Sequence, residues 1–259
     1  MKEEFNERRR NQKNNKNSLA STLLLIVSIL IFCTCLFILV RWYINTSSSK
    51  KKYDDLANDV VKNIDDNGNQ DDNNGSDYID FDKLESINKD VVGWIKVENT
   101  SINYPILQSN NNDVYLTSDI YGNYDSCGAI FLDYRNSSKF EDKNSMIYGH
   151  NIKLGTMFSD VVNIYNGNLG MDVTIDIYTR GKKTTYRVFS SYMMDATEDA
   201  LPISFLSSEA FNDFINSTIN RSSINYVRDN VMYESNMITL STCNSDGKKR
   251  IIVHAYKEN

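Results

Sequence analysis

The chain has 259 residues, 28 Lys/Arg against 34 Asp/Glu, a formal charge of −6 and 41% hydrophobic residues, enough for one substantial domain plus accessory segments. The charge is uneven: residues 1–52 hold ten Lys/Arg and three Asp/Glu, while the rest hold 18 and 31. An acidic C-terminal bulk argues against nucleic-acid binding, which needs clustered positive charge. Two histidines, with neither a C-x-x-C nor an H-E-x-x-H pattern, offer no metal site, and no organic cofactor is suggested.

Leu19 to Val40 is an uncharged run dominated by Leu, Ile, Val and Phe. As a helix it would be about 33 Å long, enough for a bilayer core of about 30 Å, and it exceeds the apolar region of a cleaved signal peptide. Arg41-Trp42-Tyr43 follows as an interfacial anchor. Lys2, Arg8, Arg9, Arg10, Lys13 and Lys16 precede the span, against Arg41, Lys50, Lys51 and Lys52 after it. The denser basic cluster stays cytoplasmic. The expected organisation is a cytoplasmic basic tail over 1–18, a single-pass cell-membrane signal anchor over 19–41, a spacer over 42–77 and an extracellular folded domain over 78–259.

Within the spacer, Leu56, Val60, Val61 and Ile64 share one face of a short helix spanning Tyr53 to Ile64. Residues 65–77 are almost entirely Asp, Asn, Gly and Gln and bury too little apolar surface to order, so they read as flexible. An opening helix follows, with Phe81, Leu84 and Ile87, extending to Val91 and Val92, and Asp80 as its N-cap. Strands are expected over 93–97, 102–108, 129–133, 145–148, 172–179, 184–194, 237–243 and 250–256. Pro105 cannot donate to a ladder and implies an edge or bulge, and Gly181-Lys182-Lys183 reads as a hairpin turn. Phe211, Phe214, Ile215 and Ile219 fall at helical spacing behind a Ser207 or Ser208 cap. Seven or eight strands with one or two helices indicate a mainly β barrel or sandwich.

The chemistry concentrates at the end of the chain. Strand side chains alternate, so Ile238, Leu240 and Thr242 share the core side. Thr239, Ser241 and Cys243 share the other, where a thiol stands at the mouth of a cleft. Cys33 and Cys35 lie in the span, leaving Cys127 and Cys243 outside it. A disulfide between these two would silence the thiol, whereas a free thiol retained in an oxidising exterior suggests use. A cysteine attacks only as thiolate, and a nearby imidazole and positive charge lower its pKa. Arg250 opens the strand after Cys243. His254 is on that strand about 13 Å beyond Arg250, too far to share the thiol. His150, behind Gly149 at a strand-to-loop edge, is the candidate acid/base.

At these residues the chain resembles a known family. Thr239-Leu240-Ser241-Thr242-Cys243 matches the T-L-x-T-C signature of sortases, the membrane-anchored cysteine transpeptidases of Gram-positive bacteria. Arg250 stands where the family places an arginine, and Tyr148-Gly149-His150-Asn151 matches the segment around its histidine. Gly128 to Asn136 and Gly155 to Phe158 also look like family segments, and the two helices look most like class B. The Asn244–Lys249 loop is shorter than in many class B members. The resemblance implies a closed β-barrel with flanking helices and a cysteine-peptidase-class transpeptidase (EC 3.4.22). Cys243 is then the nucleophile, His150 the general acid/base and Arg250 the stabiliser of substrate carbonyl or oxyanion. Ser241 and Thr242 are substrate-side candidates, although alternation turns Thr242 to the core. The implied partners are surface proteins bearing a C-terminal sorting signal, cleaved after Thr, and a peptidoglycan precursor or cross-bridge amine. A hydrolytic cysteine protease, a pilin-polymerising sortase and a binding module without activity are the alternatives.

Overall fold

A computed structural model describes residues 1–64, 76–152, 154–198, 201–227, 235–243 and 247–258. Contacts divide the chain into two compact units, Met1–Ser47 and Ser48–Asn259. The helix α1 (Lys2–Val60) includes a stretch long and apolar enough to cross a membrane. Its large side chains from Leu23 to Val40 are mostly exposed. Ser28 and Thr34 donate their hydroxyls to the carbonyls of Leu24 and Ile31, each at 2.8 Å, so neither is left unpaired in an apolar setting.

The second unit begins at Ser48 rather than near Tyr78. Tyr53, Leu56, Ala57 and Val60 recur at helical spacing and are all buried in the core. Their apolar face is legible in the sequence, but what covers it is not. Lys52 reaches Asp119 at 2.5 Å and Asp125 at 3.2 Å, and the Tyr53 hydroxyl accepts from the amide of Ile120. Those partners lie some seventy residues away, beyond any local pattern. The helix stops at Val60, and β1 (Val61–Ile64) pairs antiparallel with β2 (Ser76–Ile79). The linker expected to be flexible falls on 65–75, outside the described residues, and on Ser76 and Asp77 of β2.

Asp80 caps α2 (Phe81–Ile87) by accepting from the Lys83 amide at 3.0 Å. Val91 and Val92 belong not to this helix but to β3 (Val91–Val97), since their β-branched side chains pack better on a pleated surface. Then come β4 (Asn103–Leu107), β5 (Ile130–Leu132), β6 (Asn144–Tyr148), the short hairpin β7 (Asn151–Ile152) and β8 (Thr156–Met157), and α3 (Val161–Tyr165). The hairpin β9 (Thr174–Thr179) and β10 (Lys182–Asp195) turns at Gly181, whose φ of 73° favours glycine. Helix α4 (Ser208–Arg221), capped by Ser207, precedes β11 (Met237–Cys243) and β12 (Lys249–Lys257).

Eight strands close into a barrel in the order β10-β12-β11-β6-β5-β4-β3-β9. Pro105 is therefore not on a sheet edge. It pairs with Trp94 of β3 on one side, while the β5 pairing reaches only Ile106 and Leu107. The irregularity lies in β3, between Val91 and Gly93. Ile95, Ile106, Ile130, Ile147, Leu240 and Val253 fill the interior.

Outside the barrel, α4 packs Phe211 and Ile215 over Phe189, Met237 and Tyr256. A polar chain is sealed nearby. The Oδ1 of Asn144 can only accept, so Thr239 donates to it at 2.7 Å and accepts from Nδ1–H of His254 at 2.8 Å. Nε2 of His254 then accepts from the Tyr192 hydroxyl at 3.0 Å. Burial, with the Arg221 charge beside it, pushes the His254 pKa down to about 3 from 6.5. The unfolded chain thus binds a proton that the folded chain refuses between these values. The stability His254 gives is fully present above about pH 6.5 and is lost as pH falls towards 3. Unfolding free energies across that window should fall by about 1.4 kcal/mol per pH unit from this group, with His254→Gln flattening the slope. Its turnover should largely survive.

Candidate active site

Three neighbouring strands build the site. β11 and β6 run parallel, with Ser241 opposite Tyr148. The ladder continues as the Gly149 amide donates to the Ser241 carbonyl at 3.3 Å. Extending the Tyr148–Ser241 register by two residues puts positions 150 and 243 at the same level. β12 runs antiparallel to β11 on its other side, and Cys243 pairs directly with Arg250. With strands about 4.8 Å apart, positions 150 and 250 flank position 243 on either side. His254, four residues along β12, pairs instead with Thr239 and is fully buried. Of the two histidines, His150 is thus the one at the cysteine's level.

An open cleft of about 410 Å³ is lined by His150, Arg250, Ser241 and Thr242, together with Phe131 and Tyr148. Ser241 and Thr242 are themselves largely buried. Leu240 and Ile147 point into the barrel, so alternation turns Ser241 and Tyr148 outwards. Thr242 borders the cleft from the core-facing register. The β4–β5 connection closes one wall with Asn112, Asp113 and Leu116. The Leu116 carbonyl lies 2.8 Å from Nε2 of His150. A carbonyl only accepts, so Nε2 carries a proton and Nδ1 is the nitrogen left to exchange one. Among the described residues, no carboxylate pairs with Arg250.

Residues 95–258 match the sortase domain family. The chain is 36% identical over 180 residues to sortase B of Staphylococcus aureus, covering 68% of this chain and 73% of the relative. Among solved structures, Clostridium perfringens sortase B superposes with a TM-score of 0.65 at 30% identity, covering 69% of this chain and all of the other. A Staphylococcus aureus sortase B–substrate complex superposes with 0.68 at 28% identity, covering 83% and 99%. The chain belongs to the sortase family, class B.

The local packing of this sortase explains how its histidine is held. A Cβ at Gly149 would lie 2.4 Å from Cδ1 of Ile130 and 2.8 Å from the Phe158 ring. The glycine serves close approach rather than a special dihedral. Phe158 in turn donates its amide to the His150 carbonyl at 2.9 Å. Gly149→Ala should therefore displace His150, lowering kcat/KM at least about tenfold while costing about 1–3 kcal/mol of stability from overpacking. Peptide turnover and melting of the same sample check both.

Several cleft residues lie outside the sequence-derived set. Asp133 is fully buried beneath the cleft and Arg135 lines it beside Tyr134. Burial disfavours the charged form of Asp133, but hydrogen bonds from Arg135, Tyr148 and Asn112 outweigh it and hold the carboxyl below its ordinary range. Burial first, and then the Asp133 charge, push Tyr148 above the usual tyrosine range, with Arg135 and Arg250 opposing. The family-like stretch from Gly128 to Asn136 was the signal for this pair. Asn112, Asp113 and Leu116 carried none, because tertiary packing of a long connection places them.

Proposed function

We propose that this sortase is a cysteine transpeptidase which cuts a C-terminal sorting signal after Thr and joins the protein to a cell-wall peptide amine. The alignment of His150, Cys243 and Arg250 across three adjacent strands, at the edge of an open cleft, carries the reading. In the first half-reaction the Cys243 thiolate attacks the Thr carbonyl carbon, forming a C–S bond. Arg250 donates hydrogen bonds to the oxygen as it gains charge, where a fixed donor helps most. The C–N bond then breaks and His150, cationic because Nδ1 holds the proton the thiol gave up, passes that proton to the departing amine, leaving a thioester and a neutral ring. In the second, the acceptor amine attacks the thioester, His150 takes its proton, and the C–S bond breaks to restore the thiolate. The lone pair on Nδ1 of His150 supports that exchange. Ser241 and Thr242 contact the bound peptide.

The apolar N-terminal helix supports a membrane-anchored enzyme, with the basic tail cytoplasmic and the barrel outside. Sorting-signal-bearing surface proteins and a peptidoglycan precursor or cross-bridge amine are its partners. The likeness to a sortase B–substrate complex supports a peptide in the same cleft. Product analysis with and without an added amine tests the reaction. Ligated peptide should form at the expense of the hydrolysed acid as amine rises. Hydrolysis alone at every amine concentration would make the enzyme a protease.

A further inference from the structure

The turn after β5 carries an ion pair that the reaction above leaves unused. Asp133 accepts five hydrogen bonds. The amide and Nε of Arg135 donate to Oδ1 at 3.0 and 2.9 Å. Arg135 Nη2, Asn112 Nδ2 and the Tyr148 hydroxyl donate to Oδ2 at 2.8, 3.1 and 3.0 Å. That saturates a carboxylate, which has about four lone-pair sites, so Asp133 is spent as an anchor and is unsuited to proton transfer. Arg135 is differently placed. Its side chain is 37% exposed in the cleft wall against 0% for Asp133. A guanidinium has five N–H donors in a fixed plane. Two are used on Asp133, and among the described residues no protein acceptor meets Nη1. The remaining edge is thus presented to the cleft with its orientation already fixed, which removes much of the ordering cost of binding.

Its position sets what it can reach. The Asp133 amide donates to the Met146 carbonyl, four residues back along β6 from His150, and β5 is two strands from β11. The Asp133 backbone is therefore about 16 Å from that of Cys243, and the Arg135 guanidinium is held at its carboxylate. The long side chain recovers part of this, leaving about 10 Å, or three residues of extended peptide. Arg250 serves the reacting carbonyl; Arg135 stands too far along the cleft to do so.

Resting on the transpeptidase reading, we propose that Arg135 is a specificity-determining residue that binds a side-chain amide or carboxylate oxygen of the sorting peptide about three residues from the scissile bond. Asp133 positions it. The plane of the guanidinium matches such groups better than it matches a hydroxyl or an apolar side chain. A lysine there would keep the charge and lose the fork.

The test uses the full chain in detergent micelles and a panel of cleavable peptides. Each carries Ala at one position two, three or four residues to either side of the scissile bond. The wild type should lose about tenfold or more in kcat/KM at one of these positions, chiefly through KM. Arg135→Lys and Arg135→Gln should cut that loss to about twofold while preserving discrimination elsewhere, a pattern that a merely structural role would not produce. Melting curves establish that each variant is folded. The proposal is overturned if both variants discriminate the panel as the wild type does, or lose activity equally on every peptide. Failure of both to fold would likewise assign Arg135 to the scaffold. If the wild type forms no acyl adduct with any peptide, the transpeptidase reading falls and takes this proposal with it. Adducts with unchanged discrimination would sink Arg135 alone.

Discussion

Cys243→Ala is expected to reduce peptide turnover by more than about 10⁴-fold, with melting shifted by no more than a few degrees. The large effect follows from the chemistry, since without the sulfur no covalent intermediate forms. Arg250 and the Leu116-bound imidazole can polarise a carbonyl but cannot replace the bond. The small effect follows from the fold. β11 is held by its ladders to β12 and β6, and these are backbone interactions that alanine keeps. Turnover of matched samples and their thermal unfolding provide the check. Activity within tenfold of wild type would remove Cys243 as nucleophile.

The second large effect concerns the flanking positions. His150→Ala should lose about 10²–10⁴-fold in kcat, and Arg250→Ala about 10²–10³-fold. The two losses should differ in kind. Removing His150 deletes proton transfer to the departing amine, so peptides with better leaving groups should suffer less. Arg250→Ala removes a donor to the developing oxyanion, and its loss should persist whatever the leaving group. Arg250→Lys should recover only part, because a point charge does not reproduce two parallel donors. Rates on a series of leaving groups separate the roles. An equal, leaving-group-independent loss in both variants would contradict the assignment to His150.

Much of this site was legible because it rests on short-range regularities. Alternation in β11 put Leu240 inwards and Ser241 outwards, and helical spacing found α4 and its Ser207 cap. Distance along a strand separated His254 from the cysteine. The parallel pairing of β6 with β11 was not legible, since the two are separated by nearly ninety residues of chain. Yet that register is what brings His150 level with Cys243. The same limit explains Tyr53, Leu56 and Val60. Their stripe was visible, but the loop carrying Asp119, Ile120 and Asp125 that receives this part of α1 was not. Val91 and Val92 continued the apolar spacing of α2, yet β-branching and barrel pairing won. Pro105 was read as an edge or bulge because a missing N–H usually marks one, whereas the short reach of β5 accommodates it inside a closed barrel.

The most direct measurement is the intact mass of the full chain in detergent micelles after incubation with peptides carrying LPxTG-like and NPxTN-like signals, beside Cys243→Ala. An acyl adduct on the wild type alone, ending at the peptide's Thr and discharged by an added amine, is the predicted result. An adduct that persists in Cys243→Ala, or none with any peptide although the thiol reacts with small electrophiles, would contradict the account.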